Sequence, residues 1–398
     1  MAVYLDHAAT TPLDERVLEA MLPHMKAQFG NPSSVHQRGR KARYVVESCR
    51  ETVAGLLGAE PSEIMFTSGG TEADNTALRG VLSDARPHLI TSAAEHEAIL
   101  RVAEHRAAAW HPTSILAPAP TGAVTAAQVE EALRPTTGLV SLMHANNEIG
   151  TLTDVQAVAA VCRAHDVPFH TDAVQTAGLL PIDVDTLGVD LLSLSAHKFY
   201  GPKGVGALYV RSGVELAPFV RGGKQERDRR GGTENVPGIV GLTEALKLAC
   251  EAQAATADRL TVLRDRLIDG LASALDPAQF AFNTPVEAQR AGTVGIAPHV
   301  VNVSFRPQGD APVDGEMLLL NLDMKGIQAS AGSACTSGAL APSHVLTAIG
   351  RDRAMGSAAV RFSLGRSTTA SEVDRAVEVL AQTIDRMHRH RRPTPARS

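Results

Sequence analysis

Apolar residues at helical spacing (Val45, Val46, Cys49, Val53, Leu56, Leu57) predict a helix over 38–57. A short strand from Ile64 to Thr67 and a helix from Thr71 to Leu82 follow it. Apolar runs at 88–91, 138–143, 167–170, 190–194 and 205–210 predict further strands, several of them separated by helical stretches at 97–109, 126–133 and 153–165. Runs too short to be helices, alternating with helices, predict an α/β fold with a mostly parallel sheet between helical layers. Right-handed crossovers bring the loops after such strands to one edge, where a site is expected.

From 237 to 274 the pattern stays helical, which predicts one long connecting helix before Asp276-Pro277. Beyond it come predicted strands near 301–305 and 358–364, helices over 313–323 and 370–388, and a Gly/Ser/Ala stretch at 329–339. This part reads as a smaller α+β domain. The expected division is a large domain over 15–258 and a small one joining 1–14 to 259–398. The tail after Asp385, with Arg386, Arg389, Arg391, Arg392 and Arg397, reads as a solvated end.

Composition narrows the function. The 398 residues are 44% hydrophobic and 20% charged, enough to bury a sizeable core. A net charge of −5 argues against a surface organised around nucleic acid, and 4% aromatics argue against base-stacking platforms. The start of the chain lacks signal-peptide character, and no run approaches the ~18 apolar residues of a membrane span. Cys49, Cys162, Cys250 and Cys335 are far apart with no C-x-x-C spacing, so no zinc site is expected. The expectation is a cytoplasmic protein with reduced thiols, no membrane and no direct nucleic-acid contact.

Several segments carry candidate chemistry. Thr67-Ser68-Gly69-Gly70-Thr71-Glu72 follows a strand and opens a helix, so its backbone N–H groups can meet a phosphate. Taken alone, it is a plain strand–helix turn with Thr71 as cap. Asp172 and Lys198 both end strand runs and should reach the same sheet edge. Beside an anion turn, that carboxylate and amine point to pyridoxal phosphate: Asp172 would keep the ring nitrogen protonated and Lys198 would form the Schiff base. Separately, each is more simply an exposed ion-pair partner. Cys49, Cys162 and Cys250 fall on helical patterns and read as small core residues. Cys335 sits in Gly332-Ser333-Ala334-Cys335-Thr336-Ser337-Gly338, which lacks apolar periodicity and suggests an exposed, travelling thiol. Arg361 lies on an alternating strand, where its fork could grip a substrate carboxylate or merely form a surface salt bridge. His96 sits at a strand end before a helix, as a reactive or a capping histidine.

These residues bring a family into view. The chain resembles the cysteine desulfurases of the NifS/IscS type, class-V aminotransferases of pyridoxal phosphate fold-type I. The resemblance rests on Tyr4-Leu-Asp-His-Ala-Ala-Thr-Thr, Gly30-Asn-Pro-Ser-Ser-Val-His, Phe66-Thr-Ser-Gly-Gly-Thr-Glu-Ala-Asp-Asn, Glu95-His-Glu-Ala-Ile-Leu and Met143-His-Ala-Asn-Asn-Glu-Ile-Gly. It continues through His170-Thr-Asp-Ala-Val-Gln, Ser195-Ala-His-Lys, Arg230-Gly-Gly-Thr-Glu-Asn and the Cys335 loop. It implies that Lys198 carries the cofactor, Asp172 meets its ring nitrogen, and His96 stacks on the ring and moves protons. Gln175 and Asn147 would contact the phenolic oxygen and the substrate side. Gly70, Thr71, Ser195 and His197 would hold the phosphate, with Thr233 reaching in from a second subunit of a homodimer. Arg361 would bind the substrate carboxylate, and Cys335 would accept sulfur on a flexible arm.

The implied reaction converts L-cysteine to L-alanine and leaves a persulfide on Cys335. Sulfur would pass to acceptors such as an iron–sulfur scaffold or a thiolation enzyme. No resident metal is implied, although Cys335 could transiently ligate a cluster held with a scaffold partner. Other readings stay open: a selenocysteine lyase, a desulfurase for DNA sulfur modification, or a catalytically silent scaffold for sulfur-transfer partners. The intact set of Lys198, Asp172 and Cys335 argues against the last.

Overall fold

The computed structural model describes residues 2–307, 312–331 and 342–389. In chain order the strands are β1 (Val3–Tyr4), β2 (Ile64–Thr67), β3 (His88–Ser92), β4 (Thr113–Leu116), β5 (Thr137–Ser141) and β6 (Phe169–Asp172). They continue as β7 (Leu191–Ser195), β8 (Gly206–Val210), β9 (Phe280–Phe282), β10 (Val300–Phe305), β11 (Ile327–Gln328) and β12 (Ala359–Ser363). The helices used below are α1 (Glu15–Lys26), α2 (Gln37–Leu57), α3 (Gly70–Val81), α4 (Glu97–Ala108), α5 (Ala126–Ala132), α6 (Val155–Ala164), α7 (Val184–Leu187), α8 (Val236–Glu251) and α9 (Gln253–Ala274).

Seven strands form one sheet in the order β2-β8-β7-β6-β5-β3-β4. All its pairings are parallel except those of β8, which runs antiparallel to β2 and β7. The predicted α/β class is what the chain adopts. Strands β2, β3, β5, β6, β7 and β8 are buried along their whole length, as expected of a sheet covered on both faces. One face packs on α2, α6 and α8 through residues such as Val53, Val158, Leu194 and Leu242, and the other on α3 and α4 through Leu78, Ile99 and Leu139. Each such leucine contributes roughly 2 kcal/mol on leaving water.

A further core joins the chain's two ends. Val3 and Leu5 pack with Leu267 and Leu271 of α9, with Val303 and Phe362 of the antiparallel β9–β10–β12 sheet, and with Leu380 of the final helix. Strand β1 pairs with β11, so the N-terminus is built into this second body of the protein.

The long helix predicted over 237–274 is two helices, broken at Ala252, whose backbone leaves helical geometry at φ −99°, ψ 3°. The break serves two cores: Ile239 and Leu246 of α8 belong to the large one, Leu260 and Leu267 of α9 to the small one. No Gly or Pro marks it, so only packing reveals it. Strands β1, β9 and β11 are two or three residues long, too short to show a period. The final helix (Ala370–Arg389) continues past Asp385 and Met387 packs against the small core, so the expected solvated end does not begin at Asp385.

Candidate active site

A cavity of about 610 Å³ opens at the carboxyl ends of the central strands. Every predicted site residue lines it except Thr233, which lines a separate small cavity with Ser68 and Arg230, and Cys335, which lies outside the described residues.

Asp172 is the last residue of β6 and Ser195 the last of its neighbour β7. A single 3-10 turn, Ala196–Lys198, then carries His197 and Lys198 over the strand ends. Lys198 Nζ donates to the carbonyls of Ala8 and Ala9 at 2.6 and 2.9 Å. Burial, helped by the charge of Arg361, lowers its pKa to about 8. An amine so depressed is neutral for an appreciable fraction of the time near neutral pH, as an amine that attacks a carbonyl must be.

Asp172 Oδ1 accepts the Val174 N–H at 2.8 Å. Burial pushes its carboxyl upward, opposed by His96, by that N–H and by Lys198. A cationic ring nitrogen against it would restore the carboxylate form. Two more buried carboxyls surround it, Asp74 and Glu95, both pushed well above the ordinary range by burial and by Asp172. Asp74 Oδ1 has no hydrogen-bond partner and stands 3.7 Å from His170 Nε2, whose ring, with its pKa lowered by burial to about 3, is neutral. Sequence reading missed Asp74, although it lies one helical turn beyond Gly70 and so shares its face.

His96 is both a cap and a site residue. Its Nδ1 accepts the Ala98 N–H at 3.1 Å at the start of α4. Burial lowers its pKa, and in the neutral ring Nε2 then carries the proton.

The turn after β2 departs from the simple cap reading. The N-cap of α3 is Gly69, at φ 152°, and no side chain caps the first turn; Thr71 is already inside the helix. Gly206 of β8 lies against this turn, and a Cβ there would meet the Gly69 backbone at 2.7 Å. The α3 start thus keeps N–H groups without a side-chain cap beside Ser195 and His197 in the cavity wall.

Arg361, 3% exposed, is no surface group. Its Nη1 donates to the Asn147 carbonyl at 2.9 Å and its Nη2 to Asp6 at 2.8 Å, while Nε has no partner. Asn147 Oδ1 is likewise buried and unpartnered. Asp6 and Glu148 are cavity residues that sequence reading did not single out.

Unpaired polar atoms, a depressed lysine, a buried carboxyl and an uncapped helix start fit an aromatic aldehyde that carries a phosphate. Cys49 and Cys162 are buried and Cys250 is half-buried; burial raises all three thiols, Cys162 to about 12, as suits core residues. Among the described residues no cluster of metal-ligating side chains occurs, and no helix is long and apolar enough to cross a membrane.

Comparison with known proteins gives the chain a family. The aminotransferase class-V family model matches residues 3–376. A cysteine desulfurase IscS of Dictyoglomus turgidum is 45% identical over 97% of this chain and 95% of its own. A solved NifS-like protein superposes with a TM-score of 0.86 at 36% identity, over 97% of this chain and all of the other. A structure described as SspA in complex with cysteine gives 0.77 at 38% identity, over 91% of this chain and 98% of the other. With matches that span nearly the whole sequence, the chain belongs to the class-V aminotransferase family, in its cysteine desulfurase branch.

Proposed function

We propose that the protein is a pyridoxal phosphate-dependent cysteine desulfurase that converts L-cysteine to L-alanine and retains the sulfur on Cys335 as a persulfide. The observation that carries this reading is the meeting of Lys198, Asp172, His96 and Arg361 in one cavity. Both flanks of the segment containing Cys335 are tied to the same cavity. Upstream, Ser330 exchanges backbone hydrogen bonds with Arg361. Downstream, Ser343 donates to Glu148 at 2.5 Å and His344 Nε2 meets the Glu95 carbonyl at 2.8 Å.

Pyridoxal phosphate, when bound, supplies an aldehyde for an amino group and an electron-poor ring that spreads the charge left when a Cα proton departs. In this reading Gly70, Thr71, Ser195 and His197 hold its phosphate, and Asp172, Gln175 and Asn147 its ring. Lys198, turning from the Ala8 and Ala9 carbonyls, would be the residue that holds the aldehyde and the base for the substrate's Cα proton. The Arg361 fork turns toward the substrate carboxylate. The Cys335 thiolate attacks the substrate sulfur, the Cβ–S bond breaks, and its electron pair stays with Cβ. Lys198 and His96 Nε2 return protons, so that alanine leaves and the protein keeps one added sulfur atom.

The reading extends to the rest of the molecule. The large domain spans 15–258 and the small one joins 1–14 to 259–398, in keeping with the two separate cores. The protein acts as a homodimer, with Thr233 serving the partner's site. Met25, Phe29, Val35 and Tyr44 are 59–83% exposed, large side chains left for such a contact to cover. Its setting is the cytoplasm, and its sulfur goes to acceptor proteins such as an iron–sulfur scaffold or a thiolation enzyme. The test is to give the purified holoprotein L-cysteine and quantify alanine and protein-bound sulfane sulfur. Alanine with sulfur on Cys335 supports the reading; yellow protein that releases neither rejects it.

A further inference from the structure

In the wall of the cavity, Gln175 stands between two partners that together define its orientation. One side of its amide lies 3.0 Å from the Ala8 carbonyl, which can only accept, so that side is the NH2. The other side, the oxygen, lies 3.3 Å from His299 Nε2. An amide oxygen also only accepts, so His299 Nε2 carries a proton. His299 is 6% exposed, and burial together with the nearby Arg361 and His7 lowers its pKa to about 3, so the ring is neutral. Its Nδ1 is then the bare nitrogen, and Nδ1 is indeed the atom with no partner.

Lys198 Nζ donates to the same Ala8 carbonyl at 2.6 Å. Two donors thus share one carbonyl, and the His299 contact on the other side of the amide adds a second restraint that Lys198 does not compete for. We propose that His299 is a positioning residue that holds the Gln175 NH2 toward the cavity, so that its second N–H is free to donate to an anionic ligand oxygen. The proposal rests on the reading that this cavity takes pyridoxal phosphate. Sequence reading gave His299 no role; it belongs to the chain just before β10, and only the fold brings it behind Gln175.

The experiment titrates pyridoxal phosphate into apoprotein, followed by absorbance, for His299 variants in the native and Gln175→Ala backgrounds. His299→Leu is expected to weaken binding roughly tenfold with Gln175 present, the size of one well-placed hydrogen bond, and not at all with Gln175→Ala. His299→Gln, which keeps an N–H donor of sufficient reach, should recover most of the loss. His299→Asn, polar but too short, should not, and this pair decides the matter if the leucine variant fails to fold. An equal loss in both backgrounds, no loss with leucine, or no difference between Gln and Asn overturns the positioning role. Wild-type apoprotein that takes up no cofactor overturns the underlying reading and this one with it.

Discussion

Lys198, Asp172, His96 and Arg361 were each legible as candidate chemistry, yet what each does depends on atoms that no sequence pattern specifies. Lysine at 198 says nothing of the Ala8 and Ala9 carbonyls that hold it, or of the burial that brings its pKa to about 8. Because that pKa is depressed, the neutral amine appears at lower pH than for a free lysine. The rate at which apoprotein captures pyridoxal phosphate should rise toward pH 8 and level off above it, measured by stopped-flow absorbance. A rate still climbing near pH 10 would deny the depression. Lys198→Ala and Lys198→Arg should both lose turnover, since a guanidinium keeps the charge but forms no imine. Cys335→Ser should fold and bind cofactor normally, while alanine release from cysteine falls about a hundredfold or more, a neutral hydroxyl being a poor nucleophile toward sulfur. Mass spectrometry after brief exposure to cysteine checks the same point: sulfur on Cys49, Cys162 or Cys250 with Cys335 unmodified would reassign the acceptor.

Among the elements, the long and strongly patterned ones were legible. The predicted helix at 38–57 and strands at 64–67, 88–91 and 205–210 stand within a residue of their observed bounds. The break at Ala252 was hidden, because a chain of good helix formers gives no local reason to stop. The turn into α3 shows the same limit: its glycines were visible, but Gly206, on a distant strand, makes the turn possible by leaving room for the Gly69 backbone. Gly206→Ala is predicted to weaken cofactor binding about tenfold and to lower stability by roughly 1–3 kcal/mol, because the opposing atoms are backbone and cannot swing away. Equilibrium dialysis and denaturant melts would show it; an unchanged affinity would detach the turn from cofactor binding.

Taken whole, the molecule closes its site by folding the two ends of the chain together: Ser363 receives the Ala8 N–H, and Asp6 pairs with Arg361. If the protein acts as the proposed homodimer, it should sediment at twice the chain's mass, and Phe29→Glu with Tyr44→Glu should shift it toward monomer with loss of activity. An active wild-type monomer would count against Thr233 acting on a partner's site. Removal of residues 390–398 should leave alanine release with a small-molecule reductant unchanged, whereas truncation after Asp385 also removes Met387 from the small core and should lower the melting temperature.

By itself, the sequence determined the α/β class, the order of the main elements and the residue types of the site, since hydrophobic period and strand-end motifs are local properties. Which groups are neutral, which donate and which stand unpaired was decided only by the tertiary structure. Those properties depend on burial and on partners such as Ala8 with Lys198, Asp6 with Arg361 and His299 with Gln175, each more than a hundred residues apart in the chain and adjacent only once it is folded.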